Sequence, residues 1–247
     1  MKRSVSILVV GVVLLCAGAV RADFIGWYVT IEADNGEDRG VVQFAIDPAQ
    51  RTAGNLSFQL PGPVSIMGTD NPSVALGTIQ GLTVGLDGDP CVALSFNVTS
   101  GASATTFTIS SATVSFSAIH NPLAYASAAV TVTDNDSDGA TLTGQLDGNN
   151  AYEAIYNTTQ MWASLLEVPI VAGADDSVTG KGRQPTVAPN RQTIFADVTS
   201  IQSKFSFTLS ANDQASGTSR FDIIVPEPAT LCLLALGGLA LLRRRRR

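Results

Sequence analysis

The segment Ala104–Ile119 reads Ala-Thr-Thr-Phe-Thr-Ile-Ser-Ser-Ala-Thr-Val-Ser-Phe-Ser-Ala-Ile, and its alternation indicates how the chain folds. Apolar Phe107 and Ile109 alternate with the hydroxyl side chains of Thr106 and Thr108. Successive side chains of a β-strand point to opposite faces, so this pattern is typical of a strand with one buried and one solvated face. The segment therefore predicts a long, half-buried strand.

Similar β-rich segments recur on both sides of it. The further candidate strands are Ile25–Glu32, Val41–Ile46, Asn55–Leu60, Ala75–Val84, Val92–Thr99, Ala126–Thr133, Ala140–Leu146, Ile194–Thr199, Lys204–Ser210 and Ser219–Val225. Turn-forming pairs such as Asn35-Gly36, Asp47-Pro48 and Asp87-Gly88 separate them. Short strands with this punctuation predict an all-β body, an antiparallel β-sandwich of jelly-roll type in one domain.

Two segments are harder to assign. Between Tyr152 and Leu166 the apolar residues recur at helical spacing, but Asn157 and Thr158 also suit a hairpin turn between two strands. We favour the hairpin. The Gly-, Pro- and Asp-containing segment Gly173–Asn190 predicts a long exposed loop.

The N-terminus has the layout of a secretory signal peptide. Lys2 and Arg3 precede the apolar segment Val5–Val20, and small residues then permit cleavage after Ala22. The earlier pattern Ala17-Gly18-Ala19 offers a second cleavage position, and a retained N-terminal anchor is the alternative. We expect residues 1–22 to be the signal peptide and residues 23–224 to form the exported body.

The C-terminal segment, residues 225–247, has three parts. Pro226, Glu227 and Pro228 favour extended backbone because proline fixes φ and lacks an N–H donor. The uncharged stretch Ala229–Leu242 predicts a short transmembrane helix, about 21 Å long at about 1.5 Å per residue. A block of arginines follows, which marks the cytoplasmic side as a stop signal: Arg243, Arg244, Arg245, Arg246 and Arg247.

This segment resembles the PEP-CTERM protein-sorting signal, which combines a Pro-Glu-Pro motif, a hydrophobic helix and an arginine-rich end. The resemblance is confined to the tail. It implies an exported bacterial protein whose tail is recognised, and cut, by the membrane protease exosortase, in bacteria that make exopolysaccharide. The alternative is a plain C-terminal membrane anchor in which the prolines form an incidental linker.

The charge of the body limits its partners. Residues 23–224 contain 20 Asp and Glu against 7 Lys and Arg, a net charge of −13. Nucleic-acid binding depends on neutralising phosphates, and docking on anionic lipid needs basic residues, so an acidic body argues against both. Acidic composition favours solubility and attracts divalent cations.

One segment matches a calcium-binding loop. Asp134, Asp136 and Asp138, followed by Gly139, occupy positions one, three, five and six of the pattern D-x-[DN]-x-[DN]-G. Position twelve is Gln145 where the EF-hand pattern has Glu, and the flanking segments read as strands. We therefore expect either a calcium site of β-hairpin type or an acidic turn without metal.

Catalytic motifs are scarce, and we predict that the body is not an enzyme. His120 is the only histidine and precedes a turn, and Cys91 is the only body cysteine and suits a buried thiol. No phosphate-binding loop or nucleophile elbow occurs. An aromatic platform for sugars could be formed by Trp27, Tyr28, Tyr125, Tyr152, Tyr156 and Trp162, but we favour a core position for Trp27 and Trp162.

These observations predict an exported protein of the cell surface or extracellular matrix, sorted through its tail. We expect a structural or adhesive role in the envelope or in an exopolysaccharide biofilm. A carbohydrate-binding module is the alternative, and a secreted hydrolase is the third candidate.

Overall fold

The computed structural model describes residues 23–47, 49, 54–186 and 191–224. Its strands, in chain order, are β1 (Asp23–Asp34), β2 (Arg39–Ala45), β3 (Asn55–Gln59), β4 (Val64–Met67), β5 (Ala75–Asp87), β6 (Cys91–Ser100), β7 (Thr105–His120), β8 (Leu123–Thr133), β9 (Ala140–Gly144), β10 (Asn150–Tyr156), β11 (Gln160–Glu167), β12 (Ile170–Ala172), β13 (Ser177–Gln184), β14 (Gln192–Thr193), β15 (Asp197–Leu209) and β16 (Gln214–Ile224). A 3₁₀ turn spans Asp147–Asn149.

These strands form two antiparallel sheets packed as a sandwich. The first sheet has the order β11-β10-β15-β7-β1-β2, with β9 also paired to β15 and β12 to β9. The second has the order β13-β8-β16-β6-β5-β3, with β14 paired to β8 and β4 to β5. The predicted all-β antiparallel sandwich is confirmed.

Alternation of side chains builds the core between the sheets. In β8 every second residue is buried, from Ala124 to Val132, while the residues between them are half-exposed. Aromatic rings join the two inner faces: Phe96 of β6 lies edge-on to Phe205 of β15, with centroids 4.9 Å apart, and stacks on Phe207. Edge-to-face and stacked rings add to the stabilisation from burial alone.

The hairpin favoured between Tyr152 and Leu166 is present. Strands β10 and β11 pair in antiparallel register, and Asn157 and Thr158 connect them with positive φ values of 46° and 66°. Two consecutive left-handed residues make the tight turn that matches the twist of a hairpin.

The loop predicted over Gly173–Asn190 is wrong for its central part, which forms β13 and pairs with β8. The glycines that suggested a loop serve close packing instead. A Cβ on Gly180 would lie 2.5 Å from Ile170 Cδ1, and one on Gly182 would lie 3.2 Å from Leu165 Cβ. A bulkier residue at either position would therefore require Ile170 or Leu165 of the first sheet to shift.

The second half of the candidate strand Ile194–Thr199 and nearly all of the candidate Lys204–Ser210 belong to one strand, β15. The polar residues between them suggested a break, yet Ser203 is fully buried. Its hydroxyl lies 3.0 Å from the hydroxyl of buried Tyr152, and this hydrogen bond satisfies both groups inside the core.

The predicted signal peptide (1–22) and transmembrane tail (225–247) lie outside the described residues. Within the described ranges, no helix is long and apolar enough to span a membrane.

Gly144 provides a test of the packing between β9 and the following turn. A Cβ there would lie 2.4 Å from the backbone oxygens of Asn149 and Asn150, which cannot rotate away. We expect Gly144→Ala to lower the free energy of unfolding by about 1–3 kcal/mol, measured by urea denaturation.

Gly85→Ala is the matched control, because a Cβ there would meet Ala93 Cβ at an ordinary 3.7 Å. We expect this control to leave stability unchanged or to raise it by less than about 1 kcal/mol. Equal effects of the two substitutions would contradict the packing described for β9.

Candidate functional site

The two ends of the sandwich differ in what they carry. At one end, which we call the exit end, Ile224 pairs with Leu123 and the chain leaves the body from the central strand β16. At the opposite, far end, β8 and β16 meet where Thr133 pairs with Gln214. The predicted calcium loop follows Thr133 directly and therefore lies at the far end.

The structure brings the three predicted metal ligands together. One carboxylate oxygen from each of Asp134, Asp136 and Asp138 lies within 4.8 Å of the other two. Calcium ligands lie about 2.3–2.6 Å from the ion, so oxygens on opposite sides are about 5 Å apart. The spacing thus fits a calcium ion, and the donors are of the type that calcium prefers.

Asp134 is the anchored member of this cluster and is only 6% exposed. Its carboxylate accepts hydrogen bonds from the backbone N–H of Asp175 at 2.6 Å and of Gly139 at 3.0 Å. These bonds hold the pKa of Asp134 below its ordinary value. The pKa of Asp138 is raised instead, because its carboxyl group shares a hydrogen bond with the neighbouring Asp136 carboxylate and is repelled by its charge. A cation between them would relieve that repulsion.

Two neighbouring loops complete the far end, and sequence reasoning missed them. Ser137 Oγ donates to Asp175 Oδ1 at 2.7 Å, and Asn212 Nδ2 donates to Asp136 Oδ2 at 3.0 Å. Asp213 is buried, and this burial raises its pKa. These residues are distant in sequence from the aspartate motif, so only the fold brings them to it.

Gln145 does not join the cluster as the twelfth residue of a calcium loop would. It follows β9, and its Nε2 donates to Thr208 Oγ1 at 2.9 Å. Strands β8 and β9 flank the loop, whereas helices flank the loop of an EF-hand.

A second feature is a groove on the outer face of the second sheet, which sequence reasoning also missed. It consists of two overlapping concavities of about 800 and 270 Å³ that cross β13, β8 and β16. Of the seven Lys and Arg residues between positions 23 and 224, four line it: Lys181, Arg183, Arg191 and Arg220. We call it the cationic groove. The period-two spacing of Lys181 and Arg183 is the signal that could have revealed it.

The charges of the cationic groove are only partly neutralised. Arg220 Nε donates to Asp222 Oδ1 at 3.0 Å, and Arg191 donates to the other oxygen of the same carboxylate. Asp222 has a side chain only 5% exposed. Lys181 and Arg183 form no ion pair with any residue that the structure describes.

The six aromatic residues do not form one platform. Tyr28 and Tyr152 are buried in the core. Trp162 packs against the core and stacks on Phe221, with ring centroids 5.7 Å apart. Trp27 is 42% exposed but belongs to the first sheet, whereas Tyr125 lines the cationic groove on the second. The core position that we favoured for the tryptophans thus holds for Trp162 and is wrong for Trp27, and of these six rings only Tyr125 lines the cationic groove.

His120 and Cys91 belong to different sheets. His120 is exposed at the end of β7, and its Nδ1 lies 2.5 Å from Asp197 Oδ1. Cys91 begins β6 and is half-buried rather than a core residue, which corrects the prediction for it. Burial raises the pKa of the Cys91 thiol, which makes it a weak nucleophile.

Comparisons with known proteins identify the tail. A family model described as the PEP-CTERM protein-sorting motif matches residues 225–247. The chain therefore carries this sorting motif, which includes the predicted Pro226, Glu227 and Pro228 and the five arginines, all outside the described residues. The motif implies an exported protein that exosortase sorts and processes at a membrane, toward the cell surface. Comparison with curated proteins finds no match.

Similar solved structures are remote. The CBM22-1 xylan-binding domain from Paenibacillus barcinonensis Xyn10C is 7% identical, with 69% of this chain and 86% of that chain covered and a TM-score of 0.28. The family 11 carbohydrate-binding module from Clostridium thermocellum is 10% identical, with coverages of 84% and 97% and a TM-score of 0.17. Isomalto-dextranase from Arthrobacter globiformis T6 is 10% identical, with coverages of 80% and 32% and a TM-score of 0.20. Scores this low carry no argument about ligand or activity.

The far end makes a prediction about pH. The folded-state pKa of Asp134 lies below its ordinary value of 3.8, so the ionised carboxylate stabilises the fold above that pH. This stabilisation is lost as pH falls through the folded-state pKa. We therefore expect Asp134→Asn to destabilise most at neutral pH, with the difference from wild type shrinking toward pH 3 in denaturation curves.

For Asp213→Asn, the stability difference from wild type should change with pH in the opposite direction. Burial raises the folded-state pKa of Asp213, so its ionised form costs stability as pH rises through that value. The free energy of unfolding of Asp213→Asn, relative to that of wild type, should therefore increase from acidic to neutral pH. Parallel slopes for the two variants would contradict the distinct roles assigned to these carboxylates.

Proposed function

We propose that this chain is an exported precursor with three parts: a signal peptide (1–22), a β-sandwich body (23–224) and a sorting segment (225–247). The sorting segment holds the body at the membrane until exosortase cuts the tail. The body then serves a structural or adhesive role, without catalysis, in the cell envelope or an exopolysaccharide matrix. The sorting motif directly behind the last strand is the observation that carries this proposal.

The position of β16 supports removal of the tail. This strand is central in the second sheet and pairs with β8 through Ile224 and with β6 through Asp222. The ladder partners of β16 thus lie within the body, and cleavage beyond Ile224 leaves all the described strands in place. Extended backbone at the Pro-Glu-Pro motif suits a protease cleft, because peptides commonly bind such clefts in extended form.

The two ends of the body also suit a single point of attachment. Asp23 of β1 pairs with Ser115, near the end of β7, and β7 continues to His120 beside the exit end. The first and last strands of the body therefore begin and end on the same side. The body can extend away from a membrane that holds both targeting segments.

The tail motif makes a direct prediction. Replacing Pro226, Glu227 and Pro228 together with alanine should leave export intact and block maturation, because recognition of the motif is lost while the hydrophobic and arginine parts remain. The measurement is the mass and the membrane or medium location of the protein in its native host.

Pro61→Ala with Pro63→Ala is the matched control, since these exposed prolines form another Pro-x-Pro stretch on the body surface. This control should be exported and processed normally. Normal processing of the tail variant would refute recognition of the motif.

We also propose that the aspartate cluster at the far end binds a calcium ion. The convergence of the Asp134, Asp136 and Asp138 carboxylates supports it, because three oxygen donors lie within 4.8 Å of one another. The ion would tie the β8–β9 loop together, and its role would be structural. Weak sites of this kind suffice outside the cell, where extracellular calcium modules bind with dissociation constants of about 0.1–1 mM.

Calcium at 1 mM should therefore stabilise the protein by about 0.4–1.4 kcal/mol, seen as a rise in Tm. Asp136→Asn should reduce this rise by removing a ligand charge. Asp89→Asn, which removes the same charge at an exposed position near the exit end, should leave it unchanged. Identical calcium responses in all three proteins would refute the site.

A carbohydrate-binding body is the second candidate function, and the cationic groove favours it over a secreted hydrolase. The groove crosses three strands of the second sheet and has Tyr125 in its lining. The only histidine, His120, lies at the end of β7 and does not line this groove.

A further inference from the structure

The cationic groove departs from the charge of the rest of the body. Residues 23–224 carry a net charge of −13, yet four of their seven basic residues line this one groove. The buried carboxylate of Asp222 offsets one of the four charges. A local excess of positive charge on an acidic protein attracts anions to that place and repels them elsewhere.

Strand register explains how these residues converge. Arg183 of β13 and Arg220 of β16 pair with Ser127 of β8 from opposite sides, so the two guanidinium groups flank one position. Lys181 pairs with Ala129, two residues farther along β8 and therefore about 7 Å away. The side chains on β8 between them are small, which leaves the centre of the groove open.

Two of the four basic side chains form ion pairs with Asp222, and the other two form no ion pair with a described residue. Arg191 and Arg220 are committed to Asp222 and keep that buried carboxylate satisfied. Arg183 donates a hydrogen bond to the backbone oxygen of Thr186 at 3.2 Å and forms no ion pair within the described part of the chain. Its planar guanidinium is suited to bidentate contact with a carboxylate, and Lys181 adds a mobile point charge.

Tyr125 adds a ring to this charged surface. It lies on β8 opposite Asp222, and it lines both concavities of the groove. An aromatic ring beside cationic side chains provides an apolar surface for the faces of sugar rings while the charges contact acidic substituents.

We propose that the cationic groove binds an acidic polysaccharide, a polymer whose sugars carry carboxylate groups. This inference rests on the proposed function in taking an extracellular polymer as the partner. Arg183 and Arg220 are level with Ser127 and Lys181 is level with Ala129, so an extended polymer running along β8 would meet the two guanidinium groups first and the ammonium group about 7 Å farther on.

An anionic membrane surface is the competing occupant, and the placement of the charges disfavours it. Lys181 is level with Ala129, six residues from Leu123 at the exit end, which corresponds to about 20 Å along the strand. A membrane holding the tail would lie beyond the exit end. Lys181 would then be about two Debye lengths away from the lipid phosphates at physiological salt.

The test measures binding of the full-length protein, in nonionic detergent, to polygalacturonate. We expect Lys181→Ala with Arg183→Ala to weaken binding at least about tenfold, and added salt to weaken wild-type binding. Arg39→Ala with Lys204→Ala is the matched control, because it removes two charges outside the groove and should change binding less than about twofold. The five tail arginines are present in every variant, so differences between variants report on the groove.

Neutral dextran and phosphatidylglycerol vesicles identify the ligand class. Dextran should bind much more weakly than polygalacturonate, and vesicle binding should be the same in wild type and the groove variant. The proposal is overturned if the groove variant and the control variant lose polygalacturonate binding equally, or if wild type binds dextran as tightly as polygalacturonate. It is also overturned if the groove variant loses binding to vesicles and keeps binding to polygalacturonate. Export and tail processing are measured separately in the host, so their failure is distinguishable from failure of this site.

Discussion

Burial of alternate side chains between two facing sheets is the constraint on which the rest of the structure depends. Each long strand contributes one apolar face, and aromatic contacts such as Phe96 on Phe205 join the sheets. Because the inner positions are taken by the core, the outward positions of the same strands are free to carry charge. The cationic groove and the core therefore come from opposite faces of β8 and β16.

The antiparallel arrangement also separates the two functional ends. Strands β8 and β16 run in opposite directions, so the start of one and the end of the other meet at the exit end. Their remaining ends meet at the far end, where the aspartate loop lies beside the buried Asp213. In the proposed arrangement, attachment through the tail would leave the acidic end farther along the strands from the membrane than the exit end.

Most of the fold could be predicted from local pattern, and the failures share a cause. The long strands show strict alternation because each lies with one face on the core, as in β7 and β8. β13 was mistaken for a loop because two of its inner positions are Gly180 and Gly182, where Ile170 and Leu165 of the facing sheet approach closely. Sequence alone does not distinguish a glycine that permits close packing in a strand from a glycine that permits a turn.

By itself, the sequence determined the all-β class, the aspartate loop and the sorting tail, since each depends on neighbouring residues. Asp134, Asp136 and Asp138 lie in one short loop, so their convergence needs little more than a turn. Only the tertiary structure placed Asp213 beside that loop and brought Lys181 and Arg220 to one groove. Those contacts cross strands far apart in the chain, and strand register, which the whole core sets, decides which residues meet.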